Sequence, residues 1–115
     1  MTTISLIVLK SKDIEKLKDF YQHLGLDFVK EKHDKGAAHY ACQMGNIVFE
    51  LYLLKAENEA DTTTRLGFQV ENLENIMNDL QVQDYQIVSP AEMTEFGYSA
   101  VVKDSDGRSV ELYHK

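Results

Sequence analysis

Residues 46–54 read NIVFELYLL and residues 109–114 read SVELYH, so the tripeptide Glu50-Leu51-Tyr52 returns as Glu111-Leu112-Tyr113. Alternate side chains of a strand share a face. Ile47, Phe49, Leu51 and Leu53 therefore make one apolar face, and Val48, Glu50 and Tyr52 point the other way. In the later copy Val110 and Leu112 oppose Ser109, Glu111 and Tyr113. Each copy predicts a core strand with one carboxylate, and a tyrosine beside it, on the side away from its covering helix.

Working outward, similar elements precede each copy. Before the first lies a short apolar run at 4–9, then a helical pattern over 13–24 with Ile14, Leu17, Tyr21 and Leu24 on one face. Ser11 or Asp13 suits its start and Gly25 its end. Strands follow at 27–32 and 38–44, with turns at Asp34-Lys35-Gly36 and Gly45-Asn46. Before the second copy, residues 65–71 alternate Leu66, Phe68 and Val70 against Arg65, Gly67 and Gln69. Asn72 is placed to cap a helix carrying Leu73, Ile76, Met77 and Leu80 on one face. Shorter strands are expected at 85–88, 92–96 and 98–103, punctuated by Pro90 and Gly97, before a tight turn at Asp104-Ser105-Asp106-Gly107. Asp13-Ile14-Glu15 aligns with Asn72-Leu73-Glu74, which supports a duplication.

The expectation is an α+β chain of one domain, 1–115. It comprises a first βαβββ module over 1–54, a polar linker over 55–64 (KAENEADTTT) and a second βαβββ module over 65–115. A ferredoxin-like sandwich is the competing architecture. It is disfavoured because each half offers four strands rather than two.

Composition narrows function. The 115 residues are 43% hydrophobic and 27% charged, ordinary globular usage. The net charge of −7 falls entirely in residues 55–115, which hold five basic and twelve acidic groups. An acidic chain without a basic stripe is a poor nucleic-acid binder. No apolar run approaches the roughly 20 residues of a membrane span, and no signal-peptide pattern opens the chain. Cys42 has no partner thiol, so it reads as a buried, inert side chain in a reducing cytoplasm. The spacing from Asp104-x-Asp106-Gly107 to Glu111 does not fit an EF-hand.

Two βαβββ modules, Phe20-Tyr21 with Leu24-Gly25-Leu26, and Asp104-Ser105-Asp106-Gly107 followed by Glu111 resemble the vicinal oxygen chelate superfamily. It includes glyoxalase I, extradiol dioxygenases and bleomycin- and fosfomycin-resistance proteins. The resemblance spans nearly the whole chain. It implies an incompletely closed, eight-stranded, barrel-like sheet with helices outside, often completed in a homodimer. In metal-dependent members the first and last strand of each module supply ligands, typically His, Glu, His or Gln, and Glu. Those positions fall here on Leu6, Glu50, Arg65 and Glu111.

Leu6 has no lone pair, and a guanidinium offers only donors. Glu50, Glu111 and Arg65 are therefore expected to form an ion cluster in place of a metal, with Arg65 making bidentate hydrogen bonds. His39 reads as a partly exposed strand residue. His23, His33 and His114 read as helix-end, hairpin and terminal residues.

The favoured function is a small-molecule-binding protein, a cytoplasmic homodimer with no cofactor. Tyr52, Tyr98 and Tyr113 would wall its cavity, and Glu50, Arg65, Gln69 and Glu111 would orient the ligand. The alternative is a glyoxalase-like lyase, isomerase or dioxygenase that uses a divalent metal. No catalytic residue is assigned. A module whose cavity is filled by its own side chains is the third reading.

Overall fold

The computed structural model describes residues 1–32, 36–55 and 57–115. His33, Asp34, Lys35 and Ala56, which sequence reading assigned to a hairpin turn and the linker, lie outside the described residues. Two compact units emerge, Met1–Gln22 with Leu26–Ala60, and His23–Gly25 with Asp61–Lys115.

Unit 1 carries β1 (Leu6–Ser11), α1 (Ile14–Gln22), β2 (Val29–Glu31), β3 (His39–Met44) and β4 (Ile47–Leu53). Unit 2 carries β5 (Leu66–Val70), α2 (Leu73–Val82), β6 (Ile87–Thr94), β7 (Gly97–Lys103) and β8 (Ser109–His114). Each unit is a βαβββ module with its own four-stranded sheet, ordered β1-β4-β3-β2 and β5-β8-β7-β6. First and last strands run parallel side by side, and the other pairs are antiparallel. The α+β class and the duplicated module are as the sequence indicates.

The helices form for the same reasons in both halves, but their caps differ. Asp13 Oδ1 accepts from Lys16 N at 3.1 Å, so Asp13 is the cap, while Ser11 Oγ accepts from Asp13 N at 3.1 Å and braces the entry. Leu17, Phe20 and Tyr21 are buried against the sheet, and Tyr21 meets Phe49 edge to face at 5.0 Å. At the second helix Asn72 adopts a left-handed conformation (φ 56°) and its side chain makes no cap hydrogen bond. The expected side-chain cap is therefore absent, because Asn72 spends its tolerance of positive φ on the turn itself. Leu73, Ile76, Met77 and Leu80 bury the predicted face.

Both helices end alike. Gly25 (φ 97°) lies just before Leu26, whose N–H donates to Tyr21 O at 3.4 Å. Asp84 (φ 63°) lies just before Tyr85, whose N–H donates to Leu80 O at 3.0 Å. This is the Schellman bond, with Asp84 filling the position that glycine fills in the first half.

Two strand expectations need correction. The strand at 27–32 shrinks to three residues. Residues 85–88 and 92–96 are not separate strands, because Ile87–Thr94 runs continuously through Pro90. It does so on a sheet edge, where a missing N–H is tolerated, with register shifts on both sides of Ser89. The closing turn is as read: Asp104 O accepts from Gly107 N, and Asp104 Oδ1 accepts from Asp106 N and Arg108 N.

Arg108 is buried and pairs with Asp104 at 3.1 Å and Asp106 at 2.8 Å. Burial works against its charge, yet the two carboxylates outweigh it and raise its pKa. Cys42 is buried and burial pushes its thiol pKa up, so it is the inert thiol expected.

Candidate functional site

The register settles which side chains share the face away from each helix. In unit 1, Val8 lies across from Glu50 on β1 and Ala41 across from it on β3. Leu6, Val8 and Lys10 therefore join Val48, Glu50 and Tyr52 on that face, as do His39 and its partner Glu31. Leu6 is 54% exposed there.

His39 is only 1% exposed, so the expectation of a partly exposed strand residue is wrong. Its ring stacks on Tyr52 at 4.3 Å with an interplanar angle of 10°. Nε2 lies 3.2 Å from Glu50 Oε2 and 3.5 Å from Glu31 Oε1. Burial, and then the charges of Glu50 and Glu31, raise the Tyr52 phenol pKa.

In unit 2, Gly67 lies across from Glu111 on β5 and Val101 across from it on β7. Arg65 precedes Gly67 by two, as Leu6 precedes Val8, so the two are equivalent in register. Arg65 Nη1 donates to Glu111 Oε1 at 3.2 Å. This is a single contact rather than the expected bidentate fork, because Glu111 Oε2 accepts from the Tyr113 hydroxyl. That hydrogen bond raises the Tyr113 pKa. The Tyr113 ring lies over Gly67, where an added Cβ would sit 3.2 Å from its Cε2.

Beside this group opens a cavity of about 510 Å³ lined by Thr94, Phe96, Ser99, Val101, Glu111 and Tyr113, among others. Gln69, the register partner of Tyr113, shares their face. Tyr98 does not. It alternates to the helix side of β7 and donates to Glu74 of α2. The expected grouping of Tyr98 with Tyr113 therefore fails on strand parity, since Ser99, not Tyr98, pairs with Tyr113.

Of the expected cluster, Arg65 and Glu111 pair within the second module, while Glu50 meets His39 within the first. Sequence reading missed Glu31 and undervalued His39. The signal was available in the hairpin, which makes them directly opposed partners.

The family model for the Glyoxalase/Bleomycin resistance protein/Dioxygenase superfamily matches residues 3–112. The chain belongs to this superfamily. Solved structures of the same fold include hypothetical protein SA1046 from S. aureus, 19% identical over 100% of this chain and 98% of that one, with a TM-score of 0.74. A glyoxalase/bleomycin resistance protein/dioxygenase family enzyme from Burkholderia phytofirmans is 14% identical over 96% of each chain, with a TM-score of 0.74. A lactoylglutathione lyase from Agrobacterium tumefaciens is 18% identical over 99% of this chain and 94% of that one, with a TM-score of 0.68. No curated protein sequence matches significantly. Among the described residues no helix is long and apolar enough to cross a membrane.

Glyoxalase-superfamily members often hold a divalent metal; by resemblance alone its ligand positions would fall on Leu6 and Glu50 in the first module and on Arg65 and Glu111 in the second. The residues present do not fit. Leu6 offers hydrocarbon, Arg65 offers donors alone, and the Arg65 guanidinium paired with Glu111 repels a cation there.

Proposed function

We propose that this glyoxalase-superfamily protein binds a small organic molecule in the second module, with the Arg65–Glu111 pair standing where metal-dependent relatives use an ion. The observation that supports this is the Glu111 carboxylate, held by Arg65 and Tyr113 at the wall of the 510 Å³ cavity. The size suits a small ligand. Phe96 and Tyr113 offer aromatic surface, and Thr94 and Ser99 offer hydroxyls. A flat, amphipathic molecule with a hydrogen-bond donor for Glu111 matches that lining. Gln69 extends the polar side of the same face, and Glu50 and Tyr52 are the corresponding pair in the first module. The lone, buried Cys42 supports a cytoplasmic setting, and family habit supports a homodimer.

The test is thermal denaturation in the presence of a chelator against a panel of small aromatic amphiphiles. Stabilisation of the natural protein, reduced in Glu111→Gln and Phe96→Ser, is the expected result. Failure of every organic compound to stabilise the protein, or stabilisation that Glu111→Gln and Phe96→Ser leave intact, would sink this reading.

A further inference from the structure

Three potential ligand atoms converge on the helix-free face of the first module. Glu31, His39 and Glu50 each bring one, all within 4.8 Å of one another. The backbone explains why: Glu31 opposes His39 across β2 and β3, and Glu50 lies diagonally across from His39 on β4. The imidazole is fixed on two sides, by the Tyr52 ring stacked upon it and by Ala37 O, 3.4 Å from Nδ1. A carbonyl oxygen only accepts, so a proton on Nδ1 suits that contact, and Nε2 is the ring nitrogen that faces the carboxylates. This is the outer-shell arrangement that fixes the tautomer of a metal-bound histidine.

Two carboxylates brought this close to one imidazole nitrogen call for positive charge among them, which a proton on Nε2 or a metal ion supplies. Donors about 2.0–2.2 Å from a tetrahedral Zn²⁺ ion are separated from each other by roughly 3.4 Å. Nε2 lies 3.2 Å from Glu50 Oε2 and 3.5 Å from Glu31 Oε1, on either side of that spacing. Side-chain exposure rises from 2% at His39 through 17% at Glu50 to 38% at Glu31, so the cluster is anchored at one end and open to water at the other.

We infer that Glu31, His39 and Glu50 bind a divalent transition-metal ion such as Zn²⁺ or Co²⁺, with water completing the coordination. Glu50 belongs to the superfamily's ligand positions, but the other two donors come from β2 and β3 rather than from a first strand. The second module has lost the equivalent set. Its matching positions hold Glu92, Ser99 and Glu111, and Glu111 is taken by Arg65.

The test uses full-length protein stripped with chelator and titrated with Co²⁺, followed by calorimetry and visible absorption. One equivalent should bind, with the absorption bands of a low-coordinate cobalt site. Glu31→Gln, on an exposed edge strand, should weaken binding by about tenfold or more, and His39→Gln should abolish the bands. His23→Gln and His114→Gln should leave both unchanged. Because His39 is buried and its variant risks misfolding, Glu31→Gln is the deciding arm. No binding, or binding that Glu31→Gln leaves intact, would overturn the site and leave a histidine held between two carboxylates without a metal.

Discussion

Ser99 occupies in the second module the register position that His39 occupies in the first. Each is the direct partner of a glutamate on the outer strand, Glu92 and Glu31 respectively. Each lies two residues before the partner of the last-strand glutamate, Glu111 or Glu50. The duplication thus kept four carboxylates and one imidazole. Ser99→His should therefore restore a second donor set only when Arg65 no longer holds Glu111. Calorimetry with Co²⁺ should show one additional equivalent for Arg65→Leu/Ser99→His, and none for Ser99→His alone.

The Tyr40 hydroxyl donates to Glu15 Oε1 at 2.6 Å. This bond, and then the one from Lys18, holds the Glu15 carboxyl below its ordinary 4.5. A depressed folded-state pKa contributes stability that is complete above the ordinary value and is lost as pH falls through the folded one. Tyr40→Phe should therefore flatten the fall in urea midpoint between about pH 5 and pH 3. Since Glu15 is largely exposed, the difference will be small.

Arg108 and Asp104 form an ion pair with side chains 2% and 0% exposed. Removing the guanidinium strands a buried carboxylate. Arg108→Met should cost about 3–5 kcal/mol in chemical denaturation. Asp104→Asn should also destabilise, because Asp104 Oδ1 accepts two backbone N–H groups that shape the turn.

Gly67→Ala sets a methyl 3.2 Å from Tyr113 Cε2. The ring must shift by a few tenths of an ångström, which loosens the phenol from Glu111. The expected outcome is a Tyr113 phenol that titrates lower than in the natural protein, read by ultraviolet difference absorption. Tyr113→Phe identifies the signal by removing it.

Much of this was legible in the sequence. The repeated Glu-Leu-Tyr placed both last strands, and the helical faces of Leu17 and Tyr21 and of Ile76 and Leu80 are buried as read. Even the Glu31–His39 pairing was available, since a turn expected at Asp34-Lys35-Gly36 would oppose residues equidistant from Lys35, and Glu31 and His39 are partners. The Gly45-Asn46 turn likewise sets Ala41 against Glu50. Register carried across a turn is what ties these pairs to the sequence. Burial of His39 was harder, because it depends on Tyr52 stacking from the next strand. Pro90 misled because its penalty depends on whether a strand is interior or at an edge, a property of the sheet order and not of the local residues.

The last strand of each module is hydrogen-bonded between the first strand and the third, β4 between β1 and β3 and β8 between β5 and β7. During synthesis β1 leaves the ribosome without its neighbour and must wait some forty residues for β4 to arrive. That parallel ladder is the longest-range pairing of the first module, whereas the local β3–β4 pairing is what sets Glu50 beside His39. A nascent chain paused before residue 47 lacks Phe49, the β4 side chain that packs edge to face on Tyr21. Such a pause leaves the apolar helix face open to chaperones or to misassociation.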